Sequence, residues 1–326
     1  MNLLKIIEWM AAVASWLPSS TSFRLATLQN IEKYFDYRTD QNDLFRRHKI
    51  YNNFHIWLTY LYGLLSDRHR KSFISKYVQF LPTKELDELL AAKKPIIIIL
   101  PHKGYHIFTA FALQYYFKAN KASFHSFFDS ESKNKFNRIF IKIFNSDPCP
   151  IPMLHNNTRD LVKAIRILKS GGIVSMFPDV FDFKGAFITT KLFGEVYSAM
   201  TGTAYLALKS NATIVPVDSS YRNGKICISI LPALDLSNCQ KGTEALQLRQ
   251  LTDATFQSLQ SIIEKNPAEW QYLALMHQFS HGSYAASDLT SQRNRLNMLS
   301  LSNKEWGKVA QRIYQDLQTT DYRPLP

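Results

Sequence analysis

Two apolar periods divide the chain. From residue 21 to about residue 90 the spacing is helical throughout. Phe23, Leu25, Leu28, Ile31, Tyr34 and Phe35 recur at helical intervals, and so do Ile50, Phe54, Trp57, Leu58, Leu61 and Leu65. Then the period changes. Pro95 precedes Ile96-Ile97-Ile98-Ile99-Leu100, an unbroken apolar and mostly β-branched run. A run with no polar position predicts a strand buried on both faces of a parallel sheet. It ends in Pro101-His102-Lys103-Gly104, and helical spacing resumes from about Tyr105 to Phe117. Strand, tight loop and helix make up the unit of an α/β domain.

The unit recurs. A helix over about Thr158 to Lys169 stops at Gly171-Gly172, a sound C-terminal signal. Ile173 to Phe177 follows as a strand that runs into Pro178-Asp179. A helix after Gly202 ends near Asn211, Thr213 to Val217 and Lys225 to Leu231 read as two more strands, and a last long helix runs from about Thr252 to Glu264. Beyond Gln278 the chain is polar, then weakly helical around Trp306. The pattern predicts an α/β domain over residues 21–280, with a mostly parallel central sheet flanked by helices. Residues 21–90 form its helical N-terminal layer, and residues 281–326 form a partly helical tail. A chain of 326 residues is long enough to bury such a core.

Residues 1–20 stand apart. Leu3 to Leu17 is apolar but carries Lys5 and Glu8 and stops at Pro18. A membrane-spanning helix needs about 20 apolar residues, so this segment is too short and too charged to span. It also lacks the small-residue cleavage site of a signal peptide. Two placements fit it: a helix lying in a membrane interface through Trp9 and Trp16, or a helix packed on its own domain.

Charge narrows the partners. The net charge of +13 favours an anionic partner. Nucleic acid is not expected, because zinc-ligand spacing, an aromatic RNA-binding strand and a basic heptad region are all missing. An acidic carrier protein and an anionic membrane surface remain, beside the plain reading of a solvated basic surface. Cys149, Cys227 and Cys239 form neither a disulfide framework nor a metal pattern, which suits a reducing compartment.

Ligands of open α/β sheets bind at the carboxyl ends of the strands. His102 and Asp179 both lie at such ends. A histidine there can take a proton from an attacking hydroxyl or amine. Backbone N–H groups near Lys103 and Gly104, where the loop enters a helix, could hold an oxyanion. His102 and His106 are four apart, but zinc-protease chemistry would need Glu where Lys103 stands, and no metal is expected. The chain has no G-x-S-x-G elbow, phosphate-binding loop or dinucleotide fingerprint.

Four segments, in order, resemble one family. The first is the apolar strand leading to His102-Lys103-Gly104. The second is Arg159 on a helix, followed by Gly171-Gly172 and Ile173 to Asp179. The third is Leu192-Phe193-Gly194, followed by Thr201-Gly202 and Leu206-Ala207. The fourth is Asn266-Pro267-Ala268-Glu269-Trp270. Upstream, Leu25 to Ile31 adds a helical entry segment. Together they resemble the late acyltransferases of lipid A biosynthesis, the lauroyl and myristoyl transferases. The resemblance implies a glycerolipid-acyltransferase-like α/β fold and an acyl-carrier-protein or acyl-CoA thioester as co-substrate, with no other cofactor. It implies His102 as general base, an apolar acyl channel, Arg159 on a phosphate, and Phe193 and Gly194 at the substrate site. Each of these has a plainer reading too: Arg159 as a solvated helix charge, Phe193-Gly194 as a packed strand end, Asp179 as a turn cap.

The chain also departs from that pattern. The family places a carboxylate five residues after its histidine, in an H-x4-[DE] motif. Here that position is Ile107, and Tyr105-His106 replace the family's Asn-Trp pair. Asp179 or Glu195 could replace the missing acid in space. An amine acceptor would need less help from a base, or catalysis is lost and the acyl pocket kept. The expected function is acyl transfer to a hydroxyl or amine in lipid or specialised-metabolite biosynthesis. The protein would work in the cytoplasm, peripherally on the inner face of a bacterial inner membrane. The alternatives are a non-catalytic acyl-binding or carrier-docking partner and, more weakly, a thioester or ester hydrolase. The group within reach of His102 discriminates among them.

Overall fold

A computed structural model describes residues 2–35, 40–128, 135–147, 149–179, 187–236, 239 and 242–276. Four helices open the chain: α1 (Leu3–Ala14), α2 (Thr21–Tyr34), α3 (Gln41–Leu64) and α4 (Asp67–Tyr77). The alternating part follows with β1 (Val78–Leu81), α5 (Lys84–Ala91), β2 (Ile96–Ile99), α6 (His106–Ala119), β3 (Phe124–Phe127), α7 (Lys135–Ser146), β4 (Met153–Leu154), α8 (Thr158–Lys169) and β5 (Ile173–Met176). Next come β6 (Phe187–Leu192), β7 (Glu195–Met200), α9 (Gly202–Ser210), β8 (Thr213–Arg222), β9 (Lys225–Ile230) and α10 (Glu244–Glu264). A 3-10 turn at Pro267–Glu269 ends the series.

The main sheet has the order β1-β9-β8-β2-β5-β3-β4, parallel except at the β8–β9 hairpin. The protein is thus a mixed α/β structure with N-terminal helices beside a mostly parallel sheet. The isoleucine strand β2 lies between β8 and β5, and its four side chains are fully buried. Alternation sends them to opposite faces. Ile96 and Ile98 join Phe108 and Phe111 of α6, while Ile97 and Ile99 join Ala164 and Leu168 of α8, Leu206 of α9 and Leu259 of α10. Each buried isoleucine contributes about 1.5–3 kcal/mol from removal of apolar surface. A third cluster unites Ile31 and Leu44 of the helical layer with Leu192, Tyr197, Trp270 and Met276.

Several elements differ from the sequence expectation. The stretch 21–90 is not helical throughout, because Val78–Leu81 is an edge strand paired with β9. Four residues between two helices are too few to show a period of two. The short strands β3 and β4 escaped for the same reason. β8 runs five residues beyond Val217, because Asp218 and Ser219 are buried among polar partners. α10 starts earlier, at Glu244, where the Thr243 hydroxyl accepts a hydrogen bond from the Leu246 amide. The expected tail 281–326 lies outside the described residues.

At the N-terminus, α1 buries Leu4, Ile7 and Ala11 against the domain, and the Asn2 amide donates to Gly224 O. Its other side exposes Trp9, Met10 and Val13, and the turn that follows exposes Trp16. Among the described residues no helix is long and apolar enough to cross a membrane.

Candidate active site

His102 lies just past the carboxyl end of β2, and Asp179 just past that of β5. The two strands are parallel neighbours with Ile99 opposite Met176. Three residues further along each strand, the register brings His102 and Asp179 side by side. His102 Nδ1 donates to Asp179 Oδ1 at 2.8 Å. Asp179 Oδ2 accepts two further hydrogen bonds, from the His102 amide at 2.7 Å and from Trp270 Nε1 at 3.0 Å. Three donors and burial fix the carboxylate (1% exposed), while the His102 side chain keeps 18% exposure. The carboxylate sets the imidazole tautomer, leaving the Nε2 lone pair for a ligand. Rings of His106, Phe177 and Tyr272, at 5.3, 4.8 and 5.0 Å between centroids, surround the imidazole.

The loop carrying His102 is clamped. The Gly104 amide donates to Glu269 O at 2.8 Å and the Gln271 amide to His102 O at 2.8 Å, a short antiparallel bridge to the Trp270 segment. Tyr51 OH donates to Gly104 O at 2.8 Å. Gly104 has φ +61°, and a Cβ there would collide with Ser219 O and stand 2.6 Å from Ser219 Oγ. Only glycine fits. Beneath the loop, the buried Lys103 ammonium lies 2.7 Å from Asp218 Oδ1 and 3.9 Å from Glu269 Oε2. Burial raises Glu269 to about 7, against the opposing pull of Lys103.

These contacts correct one expectation. The Lys103 amide donates to Pro101 O and the Gly104 amide to Glu269 O. Both N–H groups are spent, so neither is free to hold an oxyanion. The Lys103 side chain is a buried strut and does not reach the imidazole.

The other expected site residues separate. Glu195 pairs with Lys33 at 3.1 Å, whereas Asp179 is the carboxylate on His102. Arg159 is exposed in the first turn of α8, with no ion pair among the described residues. Phe193 and Gly194 form the turn of the β6–β7 hairpin, at φ +52° and +78°. Phe193 packs on Phe35 and Trp270, with centroids 4.9 and 5.8 Å apart, so it backs the indole that holds Asp179. Tyr105 is buried among Tyr51, Phe54 and Tyr221, and burial raises its phenol. Ile107 sits in the apolar cluster beneath α6. His106 lines the site, and burial, then His55 and His102, hold it well below the ordinary histidine value. Trp270, Phe177 and Tyr272 were not singled out from sequence as site residues. Trp270 did stand in a recognised segment, but nothing in that segment says its indole reaches a carboxylate 91 residues away. Among the described residues, no group of three or more His, Cys, Asp or Glu is placed to hold a metal.

The structure therefore has the form of an α/β protein with a carboxylate-oriented histidine at the carboxyl edge of a parallel sheet. Such a pair is suited to taking a proton from a nucleophile. The family model for bacterial lipid A biosynthesis acyltransferases matches residues 28–279. The chain belongs to this family, and acyl transfer in lipid biosynthesis is the activity that membership assigns. Comparison with curated proteins yields no match.

Proposed function

We propose that the protein transfers an acyl chain from an acyl-carrier-protein or acyl-CoA thioester to a hydroxyl or amine acceptor, with His102 as general base and Asp179 as the carboxylate that orients it. The observation that carries the reading is the 2.8 Å hydrogen bond between His102 Nδ1 and Asp179 Oδ1. It supplies in space the acid that Ile107 cannot supply in sequence. In this scheme His102 Nε2 takes the acceptor proton as the acceptor atom bonds to the carbonyl carbon. The C–S bond then breaks, and the proton passes to the leaving thiolate. The net charge of +13 favours an acidic carrier or an anionic membrane surface. Arg159, exposed at the start of α8, is free to meet a phosphate. Trp9 on the outer side of α1 and Trp16 in the turn after it, both exposed, suit a peripheral position on the inner face of a bacterial inner membrane.

The test is turnover of dodecanoyl thioesters of carrier protein and of CoA, with hydroxyl- and amine-bearing lipids as acceptors. Transfer is expected from the wild-type chain and its loss, by about 10³-fold or more, from His102→Ala. A His102→Ala protein that transfers at the wild-type rate removes the base role. Binding of acyl chains without any transfer restores the non-catalytic reading.

A further inference from the structure

An acyl transfer needs a second group besides the base. The carbonyl oxygen gains negative charge as the acceptor attacks, and a preorganised donor must meet it. The Lys103 and Gly104 amides are already spent, and the Lys103 ammonium is turned onto Asp218. Two polar side chains stand with their rings against His102, Tyr272 at 5.0 Å and His106 at 5.3 Å, and His106 is the one at a helix start. Resting on the acyl-transfer reading above, we propose that His106 is a second catalytic residue, whose Nε2–H donates to the thioester carbonyl oxygen and to the oxyanion that forms there.

Four observations carry this role. The His106 ring stands 5.3 Å from that of His102, edge to face, within reach of one reacting group. It is held between the stacked ring of His55 at 5.1 Å and the edge of Phe177 at 5.8 Å, so its orientation is set before substrate arrives. His106 is buried at 8% exposure, and its Nδ1 is enclosed with no hydrogen-bond partner among the described residues. Orphaned buried N–H groups are rarer than under-satisfied acceptors, and a proton on the enclosed Nδ1 would have no acceptor, so the proton belongs on Nε2, the nitrogen left to meet a ligand. Finally, His106 is the first residue of the 14-residue α6, and Tyr105 before it gives no side-chain cap. The partial positive charge of that helix start favours negative charge beside it and disfavours an imidazolium.

The chemistry balances. The acceptor-to-carbonyl bond forms and the C–S bond breaks. His102 receives the acceptor proton and returns it to the thiolate. His106 gives a hydrogen bond and no proton, so it ends each turnover as the same neutral tautomer. A neutral imidazole is the suitable donor, because an imidazolium next to His102 would suppress proton uptake there. The groups facing His106 are His55 and His102, with Asp179 behind the latter. His106 stands where the resembling family carries tryptophan, so the role belongs to this chain's own residues.

Two measurements test it. Nitrogen NMR of ¹⁵N-histidine-labelled wild-type protein at pH 7 is expected to show His106 neutral, protonated at Nε2 and bare at Nδ1. The opposite tautomer, or an imidazolium, overturns the proposal. In the dodecanoyl-thioester assay, His106→Phe keeps a ring and loses the donor. Its kcat is expected to fall about 10²- to 10³-fold, with KM and the shape of the pH profile little changed. His106→Gln, which returns an N–H near the Nε2 position, is expected to recover at least part of that loss. An unchanged kcat in His106→Phe, a loss confined to KM, or no recovery in a folded His106→Gln overturns the role while leaving acyl transfer intact. Absence of transfer by the wild-type chain itself overturns both.

Discussion

Asp179→Asn is the sharpest perturbation of the site. It keeps the shape and removes the charge. Asp179 accepts three hydrogen bonds, one from His102 Nδ1 on Oδ1 and two, from the His102 amide and Trp270 Nε1, on Oδ2. Asparagine has one oxygen and one NH2. With its oxygen at the Oδ2 position it satisfies the two donors there. Its NH2 then faces His102 Nδ1, and the imidazole must present a lone pair to it. The ring adopts the other tautomer, with the proton on Nε2, and the base is blocked. The reverse orientation would leave the amide and the indole N–H without an acceptor, at about 1–3 kcal/mol each, so the flipped tautomer is favoured. A wrong tautomer in such a pair lowers kcat by about 10⁴, or roughly 5 kcal/mol of barrier at 1.36 kcal/mol per decade. The assay is kcat for dodecanoyl transfer, paired with a urea midpoint to show that the variant is folded. A folded Asp179→Asn protein within tenfold of wild type would falsify the orienting role. Asp179→Ala is the poorer probe, because it strands three donors and unfolding would confuse the result.

Two further outcomes follow from the same loop and core. Gly104→Ala would force a left-handed residue and a collision with Ser219, while Tyr51 and Glu269 hold the backbone from both sides. A loss of about 3 kcal/mol or more in urea unfolding, with loss of turnover, is expected, and a variant as stable as wild type refutes the clamp. The second outcome is acid sensitivity. Burial lowers His48 to about 4, and burial, then His102, lowers His55 to about 4, so each stabilises fully above pH 6.5 and loses about 3 kcal/mol as pH falls to 4. Glu269 is raised to about 7, so its contribution of about 3 kcal/mol is present below pH 4.5 and lost as pH rises to 7. Two histidines outweigh one glutamate, so the urea midpoint is expected to fall between pH 6.5 and 4.5, more steeply in Glu269→Gln; a midpoint that rises on acidification refutes the assignment.

What the sequence disclosed follows physical range. The isoleucine run of β2 and the glycine-stopped helix α8 were legible because both are local: one is an unbroken apolar run, the other a boundary signal. β1, β3 and β4 were not, since they are short, offer no unbroken apolar run like that of β2, and have their pairing supplied by distant strands. The polar end of β8 looked like the close of a strand, because Asp218 and Ser219 are buryable only once Lys103 and the Tyr105 amide arrive to pair with them. The site divides in the same way. His102 was legible from its position after a strand, whereas the indole of Trp270 on Asp179 depends on a chain return that no local pattern announces.

The carboxylate is the instructive case. Position 107 is on the first turn of α6, and there the chain places isoleucine in the apolar cluster below the helix. A carboxylate enclosed in that cluster would be raised and neutralised by burial unless it were given donors. Asp179 meets the imidazole from the neighbouring strand instead, in a pocket that supplies three donors. Strand register accounts for this. β2 and β5 are parallel neighbours, and His102 and Asp179 stand three residues past a matched pair, Ile99 and Met176. The sequence alone leaves Asp179 and Glu195 as the two candidates for the missing acid, and placing β2 beside β5 decides for Asp179. The missing step was strand order, and strand order depends on the crossover helices that pack the sheet. A histidine and an acid far apart in a sequence thus become a functional pair through sheet topology, while the spacing of a helical motif is left free for core packing and for a second imidazole at position 106.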